Sequence, residues 1–260
     1  MGKNKEPIPH LFRTEYRKIV AVLTRRFGLN QLGLAEDIAS ETFLTASQSW
    51  GVQGLPENPV AWLYQVARNK ALNHLRRRRT FEKSVVPGIE SNLADDGVSE
   101  IDLSAENIFD SQLQMIFAVC NPAIPPEAQT GLALRVLCGF GIDEIADAFL
   151  TNKETINKRL FRAKEIFREK NISLSMPGTT EIDTRLSGVV RTIYLLFNEG
   201  YYSHSHDRGL RKELALEAIR LCTMLVEHPA TNRPQVNALL ALMCFHASRF
   251  DSRIGANGEV

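Results

Sequence analysis

Apolar residues recur at spacings of three and four along nearly the whole chain, and this period confines it to an all-α fold. Leu11, Phe12, Tyr16, Ile19, Val20, Leu23 and Phe27 form one amphipathic stripe, and Gly28 closes that helix. Leu34, Ile38, Thr42, Phe43 and Ala46 carry the period into a second helix that runs toward Trp50. The stretch WGVQGLPENP reads as a loop. Asn58 then stands as N-cap and Pro59 at the first helical position of a third helix, PVAWLYQVARNKALNHLRRRR. Trp62, Leu63, Val66, Ala67 and Leu75 lie on its apolar face, and Trp50 and Trp62 read as core. No β-type alternation of useful length occurs. Two small helical domains are expected, residues 8–82 and 111–172, joined by a linker over 83–110. A C-terminal helical region over 183–260 follows, with helices near 184–199, 208–228 and 233–250.

A net charge of only +1 hides strong segregation. Residues 68–83 carry seven Lys or Arg against one acid. Residues 90–110 carry seven Asp or Glu and no base, and residues 153–170 are basic again, seven against three. Such alternation points to separate surfaces for separate partners. The acidic middle segment shows little periodicity and reads as a linker that orders only when bound. Four adjacent arginines, Arg76, Arg77, Arg78 and Arg79, repel one another. Either they are solvated at a helix end, helped by the dipole, or something acidic sits against them.

The sharpest local pattern is GFGIDEIADAFLTNKETINKRLFRAKEIFRE. It reads as a short helix, a tight turn and a longer basic helix. Ile142, Ile145, Ala146 and Phe149 face inward on the first helix; Ile156, Leu160, Ala163 and Phe167 form the buried stripe of the second. Thr151 or Asn152 supplies the cap between them. Lys153, Glu154, Thr155, Asn157, Lys158, Arg159 and Arg162 lie on or beside the outward face. A helix entered this way can reach base edges in a major groove while its cations hold phosphates. A helical hairpin with a solvated basic face fits the same residues.

Other classes find little support. No apolar run reaches the roughly 18 residues of a membrane span, and the N-terminus lacks the apolar core of a secretory signal. The four cysteines, Cys120, Cys138, Cys222 and Cys244, are far apart and read as reduced thiols of a cytoplasmic protein. His204 and His206 form an HxH that nothing nearby completes into a metal site. No nucleophile–base pair or phosphate loop appears, so neither an enzyme nor a cofactor is expected. LFNEGYY offers Asn198, Glu199, Tyr201 and Tyr202 as pocket residues. It reads equally as a helix end with Gly200 as C-cap and packed tyrosines.

LAEDIASETFLTA, then NPVAWLYQVARNKALNHLRRRR, an acidic linker and a terminal helix-turn-helix, in that order, resemble RNA polymerase sigma factors of the compact extracytoplasmic-function type. The likeness covers roughly residues 8–170. The later stretches FAVCNPAIPPEAQTGLALRVLCGFGIDEIADAFL and LALEAIRLCTMLVEHPATNRPQVNALLALMCFHASRF are similar to one group within that class, which bears a tetratricopeptide-like C-terminal extension. Members of that group usually continue further, so the chain is expected to be a truncated one.

The resemblance implies a promoter-specificity subunit. Its partners would be promoter DNA and core RNA polymerase, through the clamp and flap regions. Arg76, Arg77, Arg78 and Arg79 would meet phosphates at the −10 element, with Arg68, Asn69 and Asn73 near bases or sugars. Gln53, Glu57 and Asn58, in the loop before that helix, would hold a flipped base. The helix-turn-helix would read the −35 element. AEDIASETF would dock on the clamp through an acidic strip of Glu36, Asp37, Ser40 and Glu41. Asp95, Asp96, Glu100, Asp102, Glu106 and Asp110 would imitate RNA inside the polymerase. The C-terminal region would dock on the sigma domains and regulate or steady them. A stand-alone helix-turn-helix regulator, acting without the polymerase, is the other reading.

Overall fold

The computed structural model describes residues 7–85, 101–202 and 208–250, and every regular element among them is helical. The acids Asp95, Asp96 and Glu100 and the HxH histidines lie outside the described residues. The chain divides into two compact units between Ser111 and Gln112.

In the first unit, α1 (Pro7–Phe27), a 3-10 turn (Leu29–Gln31), α2 (Leu32–Gln53) and α3 (Pro59–Val85) pack pairwise. Tyr16, Ile19, Val20 and Leu23 of α1, Ala35, Ala39, Phe43 and Ala46 of α2 and Leu63, Ala67 and Ala71 of α3 are all buried. Fully burying a large apolar side chain contributes about 1.5–3 kcal/mol. The small residues of α2 and α3 let the helix axes approach. Gly28 ends α1 at φ 91°, a left-handed conformation that a side chain would strain. A Cβ there would also stand 2.8 Å from Asn30 Oδ1. Between α1 and α3, the Tyr64 hydroxyl donates to Glu15 Oε2 at 2.6 Å, and Lys18 Nζ reaches the same carboxylate at 2.8 Å. Burial, then the bond to Glu15, raises the Tyr64 phenol far above its usual range.

Two boundaries differ from those the sequence suggests. First, α2 runs to Gln53, so the loop before α3 starts only at Gly54. Second, the acidic segment is ordered before residue 110. Ile101, Leu103 and Ile108 are buried, and α4 (Ala105–Val119) already begins at Ala105. The Asp102 carboxylate accepts the Ser104 N–H at 2.8 Å, and the Ser104 hydroxyl in turn accepts the Asn107 N–H at 3.3 Å. These bonds satisfy donors at the α4 start that would otherwise face solvent.

In the second unit the later part of α4 is followed by α5 (Pro126–Leu132), which continues through a π-helical turn (Ala133–Leu137). Then come α6 (Ile142–Ala148), α7 (Lys153–Glu169), α8 (Ile182–Tyr202), α9 (Arg208–Glu227) and α10 (Pro234–Ala247). The helix-turn-helix, expected over 111–172, and the C-terminal helices, expected over 183–260, lie in this one unit. α5 packs against both α7 and α8. Buried Gln129 donates to the carbonyls of Asn121 and Ile124 at 3.0 and 2.9 Å and accepts from the Thr192 hydroxyl at 3.3 Å. Arg185 donates to Phe117 O at 3.0 Å, and Arg220 donates to Leu137 O at 3.0 Å. Those carbonyls belong to last helical turns, where no intrahelical donor is left for them.

Gly200 does not cap α8, which continues through it to Tyr202. Tyr201 instead packs in an aromatic cluster, 5.6 Å from the Phe197 ring and 4.9 Å from His246.

Candidate nucleic-acid and protein interfaces

The α6–α7 pair is a tight helix-turn-helix. Glu144 reaches back to the Gly141 N–H at 2.6 Å, which fixes the entry to α6. Ile145 and Ala146 are buried where the helices cross. In the turn Leu150 takes φ 49°, a left-handed backbone uncommon for a branched side chain, and it is 81% exposed. Asn152, not Thr151, caps α7: its Oδ1 accepts the Thr155 N–H at 2.8 Å. Ile156, Leu160, Ala163 and Phe167 turn inward.

Of the outward candidates, Lys153, Glu154, Asn157, Lys158 and Arg162 line one open groove of about 600 Å³. Thr155 and Arg159 are half-buried and do not line it. Lys153 pairs with Asp143 at 2.7 Å, bracing the turn, and Lys158 pairs with Glu154 at 2.6 Å. Arg159 and Arg162 have no ion-pair partner among the described residues. Sequence reasoning missed Phe161, which lines the same groove and is 65% exposed. Its position gives the signal: it shares the register of Glu154, Asn157 and Lys158, so an apolar ring stands on the polar face.

On α3, Asn69, Asn73, Arg76, Arg77 and Arg78 are exposed, and Arg68 is half-buried. The side chain of Arg79 lies outside the described residues. Three of the four arginines are therefore exposed in the C-terminal half of a long helix. Asn69 accepts from Gln65 at 3.2 Å. Before α3, the loop candidates are partly committed to local structure. Asn58 Oδ1 accepts the Ala61 N–H at 3.0 Å as N-cap, Gln53 Oε1 accepts the Ser49 hydroxyl at 3.2 Å from within α2, and Glu57 is exposed. Trp50 is buried and meets Trp62 edge-on at 5.3 Å, a packing arrangement rather than a free stacking face.

The acidic strip on α2 needs one correction. Glu36 is only 7% exposed and sits in the buried register with Ala39 and Phe43. Asp37, Ser40 and Glu41 are exposed, and Leu44, exposed as well, extends their face. Glu41 is not isolated there: Lys70 of α3 reaches its carboxylate at 3.3 Å. Among the acids of the former linker, Asp102 is engaged by Ser104, Glu106 is exposed and Asp110 is half-buried.

No group of His, Cys, Asp and Glu among the described residues could hold a metal ion. Cys120, Cys138 and Cys222 are buried free thiols and Cys244 is exposed. Burial pushes the Cys120 and Cys222 thiols up to about 12. No described helix is long and apolar enough to cross a membrane.

Comparison with known proteins adds two family matches. Residues 11–81 match sigma-70 region 2, so a domain of that kind is present; residues 185–260 match a family of unknown function, DUF6596. An uncharacterized protein of Rhizobium meliloti is 35% identical over 88% of this chain and 54% of its own length. This chain thus spans about half of that relative. The ECF RNA polymerase sigma-E factor of Haemophilus influenzae is 26% identical, over 59% of this chain and 81% of that one. The RNA polymerase sigma-H factor of Pseudomonas aeruginosa is 28% identical, over 50% of this chain and 69% of that one. No solved structure matches.

Proposed function

We propose that this chain, which carries a sigma-70 region 2 domain and has extracytoplasmic-function sigma factors among its relatives, is itself a sigma factor: a cytoplasmic, non-enzymatic subunit that directs core RNA polymerase to promoters. One observation carries the reading. Two basic helices in separate compact units, α3 with exposed Arg76–Arg78 and α7 behind a capped turn, present cations and amides outward on an otherwise near-neutral chain.

In this reading residues 8–82 bind the −10 element. The arginines of α3 supply affinity that depends on salt and not on sequence, because each neutralised phosphate releases counterions. Asn69 and Asn73 reach bases or sugars, with Gln53, Glu57 and Asn58 beside an extruded base. Residues 111–172 bind the −35 element through the α7 face, where Asn157, Lys158 and Arg162 are exposed. Asp37, Ser40 and Glu41 meet the basic clamp of the polymerase, and residues of the second unit meet its flap. The acids of residues 83–110 stand in for RNA.

The C-terminal helices steady the helix-turn-helix. α8 packs on α9 and α9 on α10, which supports a tetratricopeptide-like stack, and the bonds of Arg185, Thr192 and Arg220 tie that stack to α4, α5 and the π-helical turn. Deleting residues 175–260 therefore lowers promoter activity.

The test is co-purification of the chain with bacterial core polymerase at low ionic strength. A stable complex supports the reading. A chain that binds duplex DNA as a dimer and ignores the polymerase is instead a stand-alone regulator.

A further inference from the structure

Lys70, in the basic α3 segment, pairs with an acid on another helix, and that acid belongs to the acidic strip of α2. Its Nζ lies 3.3 Å from Glu41 Oε2, with the lysine side chain 29% and the carboxylate 64% exposed. Along α3, Lys70 shares a stripe with Asn73 and Arg77, three and seven positions on. Along α2, Glu41 shares the outward face with Asp37, Ser40 and Leu44. The pair therefore sits on the seam between the two surfaces proposed above for DNA and for polymerase. Glu41 thus competes with phosphate for Lys70, and Lys70 competes with a basic partner for Glu41.

We propose that Lys70 is a further DNA-phosphate ligand, held in reserve by Glu41 and released when a basic partner helix engages the α2 strip. The inference rests on the sigma-factor reading. An exposed pair of this kind is weak, so a stronger cationic partner can displace it. Once Glu41 turns to that partner, the Lys70 ammonium is free to swing along its own stripe toward the phosphates that Arg77 meets. By linkage the coupling is reciprocal: DNA that takes Lys70 leaves Glu41 free for the polymerase.

The experiment measures two affinities across one set of full-length variants. Binding of a short fluorescein-labelled duplex of mixed sequence is followed by anisotropy over a salt series. Binding of core polymerase is followed by its competition with a labelled sigma factor of known affinity. Glu41→Gln is expected to tighten duplex binding about threefold, the scale of one released surface pair. Its salt slope should steepen by about 0.9, the signature of one more phosphate contact. In a Lys70→Gln background the same substitution changes neither quantity. Lys70→Gln tightens polymerase binding while Arg77→Gln, which removes the same charge two turns away, does not.

Asp37→Asn separates this device from a general charge effect, because it removes an equal charge on the same helix without freeing Lys70. An Asp37→Asn gain equal to that of Glu41→Gln overturns the proposal. So does a Glu41→Gln gain that persists without Lys70. Failure of the wild type and every variant to bind either partner overturns the sigma-factor reading itself, and this inference with it. Binding that is indifferent to Glu41 overturns only the inference.

Discussion

The Arg220 guanidinium on α9 donates to the Leu137 carbonyl at 3.0 Å, across 83 positions of sequence. Its remaining nitrogens are held by Glu217 at 2.7 Å and the Met224 sulfur at 3.1 Å. One side chain thus joins the C-terminal helices to the end of the π-helical turn that leads into the helix-turn-helix. Arg220→Ala removes a charge-assisted bond and strands a carbonyl, at a cost of about 2 kcal/mol. Arg220→Lys retains the charge but not the fork, and recovers only part of it. Urea unfolding of the intact chain measures both; wild-type stability for Arg220→Ala would show the link to be idle.

The Asn152 cap gives a second prediction. Asn152→Ala leaves the Thr155 N–H without its acceptor and destabilises the second unit by about 1 kcal/mol. Asn152→Asp restores the acceptor and adds a negative charge at the helix start, so it matches or exceeds the wild type. Thermal unfolding distinguishes the two variants.

The helical architecture was legible because the apolar period is nearly unbroken, and the breaks carry explicit signals such as Gly28, Asn58-Pro59 and Asn152. Three features were hidden for identifiable reasons. Glu36 looked like a surface acid by type, yet its register with Ala39, Phe43, Ala46 and Trp50 is the buried one. The segment over 101–110 looked like linker because acids dominate it, while only Ile101, Leu103 and Ile108 report burial. The shared core of the second unit depends on Gln129, Arg185, Thr192 and Arg220, polar residues whose distant partners no local pattern announces. At the candidate interfaces the cationic and amide faces of α3 and α7 could be read from spacing. Phe161 was passed over because its ring is apolar, although its register places it on that face, and no local pattern announces that Lys70 pairs with Glu41, 29 positions before it.

Tyr64 predicts an alkaline limit to stability. Its folded phenol holds the proton far above the ordinary value of 10.0, while the unfolded phenol loses it there. The contribution is thus complete below pH 10 and declines above it, by up to about 1.4 kcal/mol per pH unit. Tyr64→Phe starts from lower stability, because Glu15 loses a donor, but declines less steeply over the same range. Parallel pH slopes for the two proteins would contradict the assignment.

The thiols report on the second unit directly. Cys244 is exposed, whereas Cys120, Cys138 and Cys222 are buried, with Cys120 and Cys222 also raised to about 12. One thiol per chain should react quickly with a maleimide in native buffer at neutral pH, and all four after denaturation. Peptide mapping should place the fast adduct on Cys244; a fast adduct on Cys120 would place the α4–α8 contact in doubt.

Phosphate and base contacts separate by their salt and sequence dependence. Arg76→Ala and Arg77→Ala should each lower the salt slope of duplex binding by about 0.9 and weaken all sequences alike. Asn157→Ala should instead relax preference at one position of the upstream element, by about 1–3 kcal/mol of discrimination. A uniform loss for Asn157→Ala would move it to the phosphate class.

Run-off transcription with bacterial core polymerase, this chain and a randomised promoter library tests the central claim most directly. Transcripts that start only when the chain is present, from templates enriched in two short elements at fixed spacing, are the predicted result. Transcription no different from core polymerase alone, with the chain shown to be folded, would contradict it.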